Sequence, residues 1–281
     1  MRKILVFSDL DGSLLDHDTY GMDEARKTAQ DLRKSGAALI LTSSKTGAEI
    51  EGYVTNLGLA DPFIAEGGGV LFCPAGLFPD APDGSREEGG YSVQTLGPPV
   101  EALREAFLEM RRALALPLRA YFEMDDAELQ RLTSLPAGWI PRMRDRRASV
   151  PFIRTGGTAA EDLAPVREWA GSKGLRYARG GRFHHLTGSF DKGTAAARLA
   201  DMYRRKTGGV LTIGIGDGPN DLPLLRWADR AVAIPAKEGL RPELAAVPGV
   251  RVAPAPGPAG WKAGVEDLFR ELNLEPLLSG S

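Results

Sequence analysis

Two carboxylates stand two residues apart in Asp9-Leu10-Asp11-Gly12-Ser13. On a chain leaving a strand, residues i and i+2 point the same way, so both acids can face one site. Neighbouring anions repel unless a cation or a shared proton relieves them, which suggests a hard, oxygen-ligated ion such as Mg2+. Asp-Gly is also an ordinary turn, and the motif alone leaves both readings open. A second acidic loop, Gly216-Asp217-Gly218-Pro219-Asn220-Asp221, adds two carboxylates and an amide. Gly214-Ile215-Gly216 opens like the glycine pattern of a dinucleotide site, but Pro219 stands at the third glycine and Asp217 where a pyrophosphate would approach. A metal site and a capped turn both remain compatible with it.

Two further segments offer cations beside helix starts. In Asp191-Lys192-Gly193-Thr194 the lysine lies near the free N–H groups of a helix N-terminus, a place suited to phosphate. Ser43-Ser44-Lys45-Thr46 supplies hydroxyls, a cation and another helix start, a second candidate anion cradle. Either can equally be a solvated helix end.

The elements that must position these residues follow from the apolar pattern. Ile4–Phe7, Ala37–Leu41 and Val210–Ile215 are continuous apolar runs that end in Ser8-Asp9, Thr42-Ser43-Ser44 and Gly216-Asp217, as buried parallel strands do. Ala25, Ala29 and Leu32, then Ala196, Leu199 and Tyr203, recur at helical spacing, and Thr46-Gly47-Ala48-Glu49 is a capping box. Alternating strands and helices predict an open α/β sheet with its ligand site outside the carboxyl ends of the strands. Between about Arg86 and Leu186 the texture changes to α+β, with a helix over Val100–Leu114 and strands over Leu118–Met124, Val150–Arg154 and Arg182–Leu186. A second helix is expected over Thr158–Lys173, and Ala253–Gly260 reads as a linker before a C-terminal helix.

Composition excludes several classes. Lys+Arg 35 against Asp+Glu 37 leaves no basic excess for a nucleic acid, and no apolar run approaches the roughly 20 residues of a membrane span. Cys73 is the single cysteine, so no internal disulfide forms, and with so short an N-terminal apolar stretch a cytoplasmic location is expected.

Taken in order, Asp-x-Asp-Gly-Ser, the Ser at the next strand end, the isolated Lys-Gly and the late Gly-Asp-Gly-x-Asn-Asp resemble the haloacid dehalogenase (HAD) superfamily of phosphatases. The resemblance covers about residues 1–85 and 187–250. It implies a HAD-like Rossmannoid core with a mainly parallel sheet, residues 1–86 and 187–281, carrying an inserted α+β cap of the C2B type, residues 87–186. It further implies that Asp9 is the nucleophile, that Asp11 is the general acid, and that Ser43 and Lys192 bind the phosphoryl group. Mg2+ would be held by Asp9, Asp11 through its backbone carbonyl, and Asp217, with Asp221 and Asn220 orienting metal-bound waters or Lys192.

Thr42–Ile50, Ala65–Gly69, Gly180–Leu186 and Thr212–Asp221 look more narrowly like the mannosyl-3-phosphoglycerate phosphatases. Gly47 stands where that family more often has arginine, and the Glu66-Gly67-Gly68 turn has glycine where asparagine is common. The implied partner is a small anionic phosphorylated glycoside, bound by a monomer or homodimer. Its anionic groups make Ser44, Lys45, Arg182, His185 and Arg154 candidate binding residues. The run Arg142, Arg144, Arg146 and Arg147 reads as a solvated face or an anion funnel, and His17 as a surface residue. A phosphatase for glucosyl-3-phosphoglycerate or another sugar phosphate, a sugar phosphomutase and a non-catalytic phosphosugar sensor are the alternatives.

Overall fold

In the computed structural model, which describes residues 2–80, 82–156, 163–180 and 182–274, the first apolar run forms β1 (Lys3–Ser8). It is followed by α1 (Asp23–Lys34), β2 (Ala38–Leu41), α2 (Gly47–Leu57) and β3 (Phe63–Ala65). Three more strands come next, β4 (Val70–Pro74), β5 (Arg86–Glu88) and β6 (Tyr91–Thr95). The middle of the chain holds α3 (Val100–Leu114), β7 (Leu118–Ala120), α4 (Asp126–Thr133), α5 (Ile140–Arg144), β8 (Ser149–Arg154), α6 (Ala164–Ser172), β9 (Arg176–Arg179) and β10 (His184–Thr187). The return comprises α7 (Lys192–Thr207), β11 (Val210–Gly216), α8 (Leu222–Trp227), β12 (Arg230–Ala233), α9 (Pro242–Ala245), β13 (Arg251–Val252) and α10 (Gly257–Glu271).

Among the described residues these strands make three sheets. The first, ordered β13-β12-β11-β1-β2, is parallel throughout, and a Thr42–Ile64 bridge carries the parallel pairing on to β3. Both faces are covered, which is why its strands read as unbroken apolar runs. Val6 packs with Ala25, Leu39 and Trp261 on one side, while Leu5 and Phe7 pack with Ala195, Ala196 and Leu199 on the other. The second sheet, β7-β8-β10-β9, is antiparallel and has a core of its own built from Phe107, Met110, Phe152 and Leu186. The third, β3-β4-β6-β5, is also antiparallel, so the expected boundary between residues 86 and 87 falls inside β5.

The expected strands and helices recur with a few shifts. The strand from Leu118 stops at Ala120, where a 3-10 turn takes over Tyr121–Glu123. Thr158 lies outside the described residues, and α6 starts at Ala164 with Pro165 in its first turn, a position where a missing N–H costs nothing. The stretch read as a linker is already helical from Gly257. The capping box of α2 forms as expected: Glu49 N donates to Thr46 Oγ1 at 3.2 Å and Thr46 N donates to Glu49 Oε2 at 2.9 Å. Gly47 has a steric reason, because a Cβ there would lie 2.2 Å from the Phe72 ring. No helix among the described residues is long and apolar enough to cross a membrane.

Candidate active site

Parallel pairing brings three strand ends side by side. Ser8 is in register with Ile215 of β11 and with Leu41 of β2, so Asp9, Asp217 and Thr42-Ser43 emerge along one sheet edge. The chain leaves β1 toward β2 on one side and later returns to β11 on the other, so Asp9 sits at the topological switch point of the sheet, where open α/β folds bind their ligands. Asp9 is held from below as well. Trp261 Nε1 in α10 donates to Ser8 Oγ at 2.8 Å, and Ser8 Oγ donates to the Asp9 carbonyl at 2.7 Å.

Lys192, the first residue of α7, completes the center from a third direction. Asp191 caps the helix by accepting from Thr194 N at 2.8 Å. The lysine Nζ, fully enclosed, lies 2.5 Å from Asp9 Oδ1 and 2.5 Å from Asp221 Oδ1. Asp221 uses its other oxygen to accept from Asp217 N at 3.1 Å and Gly218 N at 2.9 Å, which fixes the turn of the acidic loop. Gly12 has φ +82, and a Cβ on it would come 2.6 Å from Asp217 Oδ2, so the two acidic loops meet at a point that only glycine leaves open.

Asp9, Asp217 and Asp221 each offer a carboxylate oxygen, all within 4.8 Å of one another. Burial, reinforced by the Asp221 charge, pushes the Asp9 carboxyl up to about 7 against the pull of Lys192. Burial and the charges of Asp9 and Asp221 likewise raise Asp217 well above the ordinary carboxylate range. The cluster is thus short of positive charge, since its single lysine is shared between Asp9 and Asp221. Asp11 Oδ1, close by, is buried and has no hydrogen-bond partner among the described residues. An all-oxygen donor set with surplus negative charge fits a hard divalent cation.

Asp11 faces the cavity in front of this cluster, but its side chain is not among the three clustered carboxylates: Asp11 Oδ2 pairs with Lys45 Nζ at 2.9 Å. Burial works against the Lys45 charge, yet Asp11 and Glu49 hold its pKa above the usual lysine value. Ser43 is buried with its Oγ accepting from Lys45 N at 3.2 Å, and Ser44 rather than Ser43 lines the cavity.

The roof of the cavity comes from the second sheet and its helices. Arg182 and His185 line it as expected. Arg182 donates to Tyr20 Oη and to the His17 carbonyl, both at 2.7 Å, and stacks over the Tyr20 ring. Burial and the nearby Arg146 push the His185 imidazole down to about 3, so it is neutral. Arg154 is the exception and does not line the cavity. Strand β8 starts at Ser149, beside the core, and runs away from it, which carries Arg154 roughly 16 Å farther along the strand.

The basic run divides. Arg142 lies over the Trp139 ring, Arg144 pairs with Asp126 and Arg147 with Glu88, but Arg146 is buried and lines the cavity. Sequence reasoning did not separate Arg146 from its neighbours, because no periodicity distinguishes them. It also missed Tyr20, whose Oη donates to the Thr133 carbonyl and whose ring lies 4.7 Å from Lys45 Nζ. His17, expected on the surface, is half-exposed at the cavity rim.

Switch-point carboxylates, a buried lysine and an inserted roof define a class. Residues 6–74 match the haloacid dehalogenase-like hydrolase family. Across nearly its whole length the chain is 32% identical over 271 residues to the glucosyl-3-phosphoglycerate/mannosyl-3-phosphoglycerate phosphatase of Methanococcoides burtonii, covering 96% of this chain and 99% of that one. It is 35% identical to the mannosyl-3-phosphoglycerate phosphatase of Pyrococcus furiosus, covering 82% and 90%. The solved structure of Thermoplasma acidophilum 0175 shares the fold, with TM-score 0.68, 22% identity and coverage of 98% and 100%. The chain is a HAD-like hydrolase and belongs to the mannosyl-3-phosphoglycerate phosphatase family.

Proposed function

We propose that this enzyme is a Mg2+-dependent phosphatase that hydrolyses 2-O-mannosyl-3-phosphoglycerate to mannosylglycerate and phosphate. The observation that carries the reading is Asp9, bridged to Lys192 at 2.5 Å at the sheet switch point, beneath a cavity roofed by arginines. Asp9 attacks phosphorus, the bond from phosphorus to the glyceryl oxygen breaks, and Asp11 protonates that oxygen. Asp11 then takes a proton from water, which attacks the aspartyl-phosphate and releases inorganic phosphate. Lys192 and Ser43 hold the phosphoryl group, with Ser44, Lys45, Arg182 and His185 around the remainder. Asp9, Asp217, Asp221 and the backbone carbonyl of Asp11 form or support the Mg2+ site, where the ion supplies charge neutralisation and orientation. Asp221 acts by fixing Lys192 and the loop amides.

The catalytic core comprises residues 1–95 and 188–281 and the cap residues 96–187, a division supported by the separate core of Val100 to Leu186 and by the pairing of β6 with β4. The enzyme works in the cytoplasm, in compatible-solute synthesis. Activity on glucosyl-3-phosphoglycerate is the second reading, supported by the Methanococcoides relative named for both substrates. Phosphate release from the two compounds, measured with EDTA and after adding Mg2+, tests both readings. Metal-dependent turnover of the mannosyl compound is expected, and release from neither overturns the assignment.

A further inference from the structure

Arg146 lines the cavity and takes no part in the phosphoryl transfer above. Its side chain is 4% exposed. One terminal nitrogen, Nη1, donates to the Ser44 carbonyl at 2.9 Å and to Ser149 Oγ at 3.1 Å, and the carboxylate of Glu49 is 3.9 Å from Nη2. Glu49 Oε2 is already occupied by Thr46 N. Arg146 Nε is buried and has no hydrogen-bond partner among the described residues. A buried guanidinium served mainly by neutral acceptors retains both charge and donors for an anion entering the cavity. Arg182, by contrast, is held by Tyr20 and His17.

The position of Arg146 is set from the core on two sides. Ser44, one residue past Ser43, holds it directly. Glu66 holds it through Ser149: Ser149 Oγ donates to Glu66 Oε2 at 2.6 Å, which leaves only lone pairs on that hydroxyl for Arg146. Glu66 also accepts from Arg147 N at 2.7 Å and Ala148 N at 3.0 Å. Its backbone has φ +53, a left-handed conformation that is unfavourable for a non-glycine residue and persists where surrounding contacts over-determine it. Here those contacts are the three bonds to the carboxylate and one from Glu66 N to the Lys45 carbonyl.

We propose that Arg146 binds the carboxylate of the substrate, with Glu66 as its positioning residue, so that the enzyme selects phosphorylated glycosides carrying a second anion beside the phosphate. This rests on the substrate reading above. The test compares kcat/KM for mannosyl-3-phosphoglycerate with that for the analogue bearing a hydroxymethyl group in place of the carboxylate. A charge-assisted pair predicts a wild-type preference of roughly 10- to 100-fold. In Arg146→Gln the preference should fall toward one, through a higher KM for the carboxylate substrate, with Arg146→Lys intermediate. Because the ratio is taken within each variant, partial misfolding cancels. Glu66→Gln should lower the ratio too, with kcat changed by less than about threefold, whereas a purely structural lesion lowers both substrates alike. Arg241 also lines the cavity, with a buried Nε that has no hydrogen-bond partner among the described residues, and is the rival cation. A wild-type ratio near one, an unchanged ratio in Arg146→Gln, or loss of preference only in Arg241→Gln overturns the assignment. Wild-type enzyme that releases phosphate from p-nitrophenyl phosphate but from neither glycoside defeats the substrate reading and this assignment with it.

Discussion

Lys192 Nζ is 2.5 Å from Asp221 Oδ1, and neither side chain reaches solvent. Since Asp221 also holds the amides of Asp217 and Gly218, one carboxylate ties the buried lysine to the acidic loop. An asparagine has one acceptor oxygen in place of two, so in Asp221→Asn either the Lys192 ammonium or the two loop amides lose their acceptor inside the protein, although Lys192 keeps Asp9. Asp221→Asn is therefore expected to cost about 1–3 kcal/mol of stability as well as activity. Urea unfolding read beside phosphate release checks this, and a loss of activity with an unaltered midpoint contradicts it.

Asp9→Asn should behave differently. Burial already favours the neutral form of this carboxyl, so an isosteric neutral amide fits the site while no longer able to attack phosphorus. Turnover should vanish with the circular dichroism spectrum intact, and normal hydrolysis by the variant would remove Asp9 as nucleophile. Asp11→Asn should turn over slowly while still binding substrate, because only the acid is lost; wild-type rates there refute that role.

Metal binding should depend on pH in a defined direction. Asp9 is raised to about 7 and Asp217 is raised as well, so between the unfolded carboxylate value near 4 and about pH 7 the folded protein holds more protons than the unfolded chain. On their account the metal-free protein loses stability as pH rises through that window. A divalent cation binds the deprotonated form, so the Tm gain from MgCl2 over EDTA should be larger at pH 8 than at pH 5. The underlying stabilisation free energy should approach about 3 kcal/mol at roughly a hundredfold excess over Kd. An equal or larger gain at pH 5 contradicts the site.

His185 predicts the opposite slope. Its imidazole is lowered to about 3 by burial and then by Arg146 and His184. Between about 3 and the unfolded value near 6.5 the unfolded chain binds the extra proton, so stability is full above pH 6.5 and is lost on acidification. The loss is at most about 1.4 kcal/mol per pH unit. His185→Gln should flatten the profile between pH 6.5 and 4; a wild-type slope in the variant rules this out.

Much of the center was legible because its information is local. Asp9, Asp217 and Ser43 each follow an apolar run, and Lys192 sits beside a helix start, so strand ends and helix starts could be read as positions before any contact was known. The roof was less legible. What distinguishes Arg146 from three neighbouring arginines is a bond to a carbonyl 102 residues away, and what makes Glu66 a core-to-cap link is a serine 83 residues away. Arg154 was misplaced because a charge count does not say which way a strand runs. The third sheet was missed as a unit because its strands are short and separated by the turn-rich stretch between Pro74 and Arg86.

The bond between Lys192 and Asp9 spans 183 residues of chain. At about 5–20 residues per second of synthesis, the strand carrying Asp9 leaves the ribosome roughly 10 to 40 s before the lysine that neutralises it. During that interval β1 has no β11 to pair with, so its apolar residues and its acid must wait together in an unassembled chain. The geometry that concentrates charge at the switch point therefore also makes β1, synthesised before its sheet partners β2 and β11, one of the last strands that can be satisfied, and places the period of greatest exposure to mispairing before α7 appears.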